Sequence, residues 1–301
     1  MTPAALTVLA APRPATAILH DFYLLLKPRV VALIVLTTAA GFYLGSGSPL
    51  DLGRLALTLL GTALAAGGAL AINQHLERDL DARMRRTSGR PLPAGRIEPL
   101  QALAFGVALV AAGLPLLTFA VDPIAGLVTT LTVGLYLFAY TPLKRRSALC
   151  TVIGALPGAL PPVTGWAAAS GGLGPGAIAL FGILFFWQLP HSLAIARLYR
   201  DDYSNAGIRV LPVVDLGGRR TGRQMVLNAL ALLAASMLPG FAGIAGSAYL
   251  VAALLLGTAF LALCVAFTRD DSTRSARVVF LASLIYEPAL FLALVLDRTP
   301  R

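Results

Sequence analysis

The stretch NQHLERDLDARMRRTSGRPLPAGR, Asn73 to Arg96, gathers oxygen ligands and guanidinium groups in a chain otherwise poor in charge. In it, or just beyond it, stand Glu77, Asp79, Asp81 and Glu98, with Arg78, Arg83, Arg85, Arg86, Arg90 and Arg96. Asn73, Glu77 and Asp81 follow one another at i, i+4 and i+8, so one helix would carry them on one face. Three stacked oxygen side chains suit a hard divalent cation such as Mg²⁺, which keeps several waters and completes its shell from substrate phosphates. The arginines suit the phosphates themselves. A second polar stretch, RLYRDDYSNAGIRVLPVVDLGGRRTGR from Arg197 to Arg223, adds Asp201 and Asp202. Two acid clusters could each hold a metal ion and meet across one diphosphate. Adjacent aspartates also occur as an ordinary solvated helix end.

The elements that must position these groups are apolar. Of 301 residues, 57% are hydrophobic and 13% charged, against about 25% charged in a soluble domain. An all-α, polytopic membrane protein is expected. Nine runs are long and apolar enough to cross a bilayer. They extend over 30–45, 52–73, 100–120, 123–140, 149–169, 176–198, 224–243, 247–267 and 278–296. The fifth is interrupted by Pro157, Pro161 and Pro162, which a membrane helix tolerates where neighbours or a cavity satisfy the freed backbone. With the N-terminus inside, alternate loops on the inner side hold 21 of the 24 basic residues, leaving Arg54, Arg298 and Arg301 outside. That bias sets both the odd span count and a cytoplasmic N-terminus. It also explains the formal charge of +10 without nucleic acid, because the basic residues sit in short loops between spans rather than on one soluble face. The two large charged loops follow spans two and six, which suggests two similar four-helix halves plus one extra helix. Residues 1–27 are expected as a short N-terminal tail without a signal peptide, and 28–298 as a single membrane domain. Cys150 and Cys264 have neither disulfide nor metal-ligand spacing and are expected as buried thiols.

One reaction class fits a charged mouth on an apolar bundle. An allylic diphosphate has an anionic head for the mouth and a long apolar tail for the helices. Cations stabilise the departing diphosphate, and a dry pocket shields the allylic cation from water until the acceptor attacks. No Ser-His-Asp arrangement or zinc-ligand cluster competes.

These residues match a known pattern. The chain resembles the UbiA-type intramembrane prenyltransferases, and within them the protohaem IX farnesyltransferase (haem O synthase) branch. The resemblance runs from LKPRV at Leu26–Val30 to Leu296. It includes Asn73, Glu77, Asp79, Asp81, Met84, Arg86, Thr87, Arg90, Pro91 and Gly95, then GFYLG at Gly41–Gly45, YTPLKRRS at Tyr140–Ser147 and GALPPVTGW at Gly158–Trp166. WQLPH at Trp187–His191 and YRDDYSNAGIRVLPVV at Tyr199–Val214 mark the haem branch. The resemblance implies a nine-helix bundle in the cell (inner) membrane with its active site towards the cytoplasm. It implies transfer of the farnesyl group of farnesyl diphosphate to a vinyl group of haem b, with water addition and diphosphate release. Residue by residue, Asn73, Glu77 and Asp81 would be catalytic Mg²⁺–diphosphate ligands, joined by Asp202 as a second acidic site with Asp201. Asp79, Arg86, Arg90, Lys144, Arg145, His191 and Tyr199 would contact substrates. Membrane lipid is an expected partner, and a haem A synthase a candidate one. The wider family has two acids four apart in its second motif. Here Leu198 stands four before Asp202, so this site has fewer carboxylates in that register.

Plainer readings stand beside these. His191 is a porphyrin contact or a hydrogen-bonded interior histidine. His75 reads as structural and His20 as exposed. Glu287, inside span nine, lines a pocket, pairs, or serves structure. Asp79 points away from the Asn73 face and pairs with Arg83. Trp166 and Trp187 read as interfacial anchors, Trp187 also as a pocket wall. Two alternatives to haem farnesylation remain: a UbiA-type enzyme acting on a quinone precursor or other lipid acceptor, and a haem or solute transporter.

Overall fold

A computed structural model describes residues 13–299; Arg301 and the prolines at 3 and 12 lie outside the described residues. Nine described helices have the length and apolar composition to cross a membrane. They are spans one to nine: Pro28–Gly45, Leu52–Leu76, Pro99–Val121, Pro123–Leu143, Cys150–Ser170, Pro175–Leu198, Arg219–Phe241, Ser247–Asp270 and Thr273–Leu296. The apolar runs therefore become the expected helices, and the chain is a multi-pass membrane protein. Span five divides as expected into Cys150–Ala159 and Pro161–Ser170, with the joint at Leu160. Both cysteines are free and buried.

Span two packs on span three, span one on the second half of span five, and span six on spans seven and nine. Spans one and five meet by backbone. A methyl placed on Gly41 would lie 2.0 Å from the Pro162 carbonyl oxygen, and one on Gly165 would lie 1.9 Å from that of Thr38. Only glycine permits this approach. Phe42, Ala125, Ala167 and Ala168 fill the same level, so the outer half of this region is solid. Trp166 is 2% exposed within the core. It is not an interfacial anchor, because the glycine contacts draw its helix inward.

The expected tail gives way over Ala15–Leu25 to a short helix. Leu25 packs with Ala71, Leu92, Ile97 and Ala102, flanked by Phe22 and Phe105. Gln74 of span two donates to the Leu25 carbonyl at 2.6 Å. Asp21 is buried between Arg13 and Arg96. Burial alone would raise its pKa, but the two guanidinium groups outweigh burial and hold it below the usual carboxylate range. The helix thereby pins the loop that follows span two.

Candidate active site

Span two does not continue through the acid cluster. It ends at Leu76, Glu77 caps it with φ −102° and ψ 6°, and a short helix Arg78–Asp81 follows. The i, i+4, i+8 spacing nevertheless keeps its result. The backbone N–H groups of Glu77 and Asp81 donate to the carbonyls four residues earlier, at 2.9 and 2.8 Å, and Asn73, Glu77 and Asp81 all line one cavity of about 500 Å³. Such a volume lies within the usual range for small-molecule sites.

Each oxygen ligand is held by a partner distant in sequence. Asn73 donates to Thr141 Oγ1 at 3.0 Å and accepts from the Tyr136 hydroxyl at 3.1 Å. Lys144 Nζ lies 2.7 Å from Glu77 Oε1 and donates to Oε2 at 2.9 Å. The Oε1 contact lacks hydrogen-bond geometry, leaving that buried oxygen without a hydrogen-bond partner. Arg90 donates to Asp81 Oδ2 at 2.6 Å, and the Thr87 hydroxyl to the Asp81 carbonyl at 2.8 Å. Tyr136 and Tyr140 sit on a π-helical end of span four, Leu135–Tyr140, with ring centroids 5.6 Å apart. Widened turns of this kind recur at functional sites. Lys144 Nζ stands 4.4 Å above the Tyr140 ring. Burial opposes its charge, but the Tyr140 ring and the Glu77 carboxylate outweigh burial and hold its pKa above the ordinary lysine value.

The two charged loops join here. Met84 packs with Ala206 and Ile208, and Arg209 N–H donates to the Lys144 carbonyl at 2.8 Å. The Arg86 guanidinium lies 4.9 Å from the Tyr199 ring centroid and 5.6 Å from that of Tyr203, and donates to the Tyr203 hydroxyl at 3.2 Å. Arg86, Arg90, Lys144 and His191 line the same cavity as the acids. Asp79, Arg145, Tyr199, Asp201 and Asp202 lie outside its lining. Asp79 is exposed and pairs with its neighbour Arg78 rather than with Arg83, since the helix breaks before a regular i, i+4 turn forms. Tyr199 stands behind the lining, its ring beside the Arg86 guanidinium. Asp201 is exposed and Asp202 half-buried on the rim helix Arg200–Asn205. Among the described residues, no three His, Cys, Asp or Glu side chains cluster as a metal site.

His191 is hydrogen-bonded in the interior and also faces the cavity. Its Nδ1 lies 2.8 Å from Ser283 Oγ, its ring stacks on Trp187 at 4.9 Å, and it lines the cavity. Trp187 donates to the Ser283 carbonyl at 2.8 Å and stands behind His191. His75 meets the Pro99 carbonyl at 2.8 Å in a structural contact, and His20 is exposed. Glu287 is buried in span nine, outside the cavity lining.

The sequence reading missed Lys27, Tyr136 and Tyr140. Lys27 lines the cavity and makes no side-chain hydrogen bond or ion pair with the described residues. Its φ of 49° is uncommon outside glycine. Burial, then Arg90 and Lys144, push its pKa down to about 7. A lysine bracketing the first span in LKPRV was the available signal. The mouth thus holds Lys27, Arg86, Arg90 and Lys144 against Glu77 and Asp81, an excess of positive charge that attracts an anion. The far end of the cavity is lined by Ala66, Val133, Pro161 and threonines.

A family model described as the UbiA prenyltransferase family matches residues 34–287. The protohaem IX farnesyltransferase of Solibacter usitatus is 44% identical over 289 residues, covering 93% of this chain and 99% of the relative. That of Anaeromyxobacter dehalogenans is 43% identical over 298 residues, covering 99% and 100%. Among solved structures, a digeranylgeranylglyceryl phosphate synthase superposes with a TM-score of 0.79 at 17% identity, covering 93% of this chain and 98% of the other. A UbiA homologue from Archaeoglobus fulgidus, bound to GPP and Mg²⁺, gives 0.64 at 19% identity, covering 91% and 99%. At these identities the structural likeness establishes the fold alone.

Proposed function

The chain belongs to the UbiA prenyltransferase family, and on that premise we propose that it joins the farnesyl group of farnesyl diphosphate to protohaem IX, adds water, and releases diphosphate. The observation that carries this reading is one cavity that passes from a cationic, carboxylate-bearing mouth to an apolar interior, with His191 on its wall. Lys27, Arg86, Arg90 and Lys144 bind the diphosphate and stabilise its charge as the C1–O bond breaks. Tyr136 and Tyr140 place ring faces near the allylic carbon, where a cation develops. The terminal vinyl carbon of the porphyrin attacks C1. The carbon beside the ring, left electron-deficient, takes the oxygen of water, and the released proton passes to diphosphate.

Asn73, Glu77 and Asp81 would hold Mg²⁺. Their donor set suits the ion, because buried Glu77 Oε1 lacks a hydrogen bond and a carboxamide with two carboxylates leaves positions for phosphate oxygens and water. When bound, the ion neutralises charge on the leaving diphosphate. Asp202 is outside this set, because with Asp201 it stands on the rim helix away from the cavity lining. The inner, cytoplasmic side of the cell membrane carries the mouth, in keeping with the basic loops.

The test is haem extraction and mass analysis from membranes given farnesyl diphosphate, Mg²⁺ and either haem b or 4-hydroxybenzoate. Haem O should form and require this chain, and Asp81→Asn should lower its formation by about a hundredfold or more. Product from the aromatic acid alone would overturn the reading.

A further inference from the structure

Span two carries a second regularity outward from Asn73. Ala69, Ala66 and Thr62 precede Asn73 by four, seven and eleven residues, and all three line the cavity. At about 100° and 1.5 Å per residue they stay within about 40° of the Asn73 direction, at about 6, 10 and 16 Å along the axis. With carbon–carbon bonds near 1.5 Å, an extended isoprene unit advances about 4–5 Å. A diphosphate held at Asn73 and Glu77 sets C1 a few ångströms above that end. Ala69, Ala66 and Thr62 then stand beside the first, second and third isoprene units.

The cavity stops at the level of Thr62. There Thr129 Oγ1 and Thr164 Oγ1 lie 3.1 Å apart and tie span four to span five. Beyond them, the glycine contacts of spans one and five leave no room. Thr62 is 4% exposed, and its hydroxyl has no hydrogen-bond partner among the described residues. Buried hydroxyls in packed interiors are nearly always paired. This one faces space that the surrounding helices keep open.

We propose that this face gauges chain length: Ala69 and Ala66 stay small to admit two isoprene units, and Thr62, with Thr129 and Thr164, stops the chain after the third. The inference rests on the functional reading above and assigns its preference for a three-unit donor to named residues. A phenyl ring at Ala66 would occupy the place of the second-to-third unit. A leucine at Thr62 would shorten the end of the cavity while leaving two units free. A valine at Thr62 keeps the volume and removes only the hydroxyl.

The experiment supplies haem b with equal concentrations of geranyl, farnesyl and geranylgeranyl diphosphates and resolves the prenylated haems by mass. Wild type should favour farnesyl over geranylgeranyl. Ala66→Phe and Thr62→Leu should each raise the geranyl-to-farnesyl product ratio by about tenfold or more, the scale on which a hydrophobic pocket discriminates added carbons. Thr62→Val should stay within about twofold of wild type, since valine has nearly the same shape and the lost hydroxyl has no hydrogen-bond partner among the described residues. Variants are compared only where they remain monodisperse in detergent and bind haem b; if Ala66→Phe fails there, Thr62→Leu decides. Wild-type donor ratios in Ala66→Phe and Thr62→Leu, or an even loss over all three donors in them, would overturn the gauge while leaving haem farnesylation standing. A wild type that prenylates haem from none of the three donors would remove the functional reading and the gauge together.

Discussion

Glu77 and Lys144 show how a site residue is held before any substrate arrives. Their side chains are 10% and 15% exposed, so removing one partner strands the other's charge in a poorly solvated place. Lys144→Met should therefore lower stability by about 3–5 kcal/mol, as for other broken buried pairs. Adding Glu77→Gln should recover part of that loss; a double-mutant cycle of thermal melts in detergent checks the coupling. Lys27 has the opposite problem, a cation near other cations with no ion-pair partner among the described residues. Its pKa of about 7 means that the free protein carries this charge below pH 7 and loses it above. A bound diphosphate favours the protonated form. Affinity for farnesyl diphosphate attributable to this group should be constant below about pH 7 and fall by up to about tenfold per pH unit above it. Lys27→Met should flatten that dependence, as read by binding titrations across pH.

Among the elements, close backbone approach and a small latch shape the site. The Thr38–Gly165 and Gly41–Pro162 contacts bring spans one and five together in the outer half, leaving the hollow in the inner half. Gly165→Ala would force the helices apart, with an expected loss of about 1–3 kcal/mol or more from overpacking, measurable as a lowered melting temperature. The helix Ala15–Leu25 clamps the loop at Arg96 through Asp21. Since folding depresses the Asp21 pKa below its unfolded value of 3.8, the clamp contributes stability above that value and loses it as pH falls through the lower, folded one. Asp21→Asn should raise hydrogen exchange in residues 91–96 at neutral pH, and wild type should begin to loosen as pH falls below 3.8 and reach the same loosening only below the lower, folded value.

Over the whole molecule, chemistry is concentrated at one end. The cationic mouth, both charged loops and the Arg197–Asp271 pair at 3.1 Å share a side, while the glycine-packed region closes the other. With that side cytoplasmic, a membrane-impermeant maleimide should label Gly47→Cys in intact cells and Gly217→Cys only after lysis. Both positions are exposed and have open space for a side chain, and the native cysteines are buried. Labelling in the reverse order would invert the assigned topology.

The sequence alone determined the nine spans, the break in span five and the grouping of Asn73, Glu77 and Asp81, because hydropathy and helical spacing act between near neighbours along the chain. The same local logic missed the break at Glu77 and the helix before span one, since a helix end depends on what receives its free groups and on what packs against it. Only the tertiary structure decided that Lys27, Tyr136 and Tyr140 join the acids, that Trp166 is core, and that Asp202 stands at the rim. It alone decided where the hollow ends. A cavity exists between helices remote in sequence, and its depth is set by where their backbones touch, which no single segment encodes.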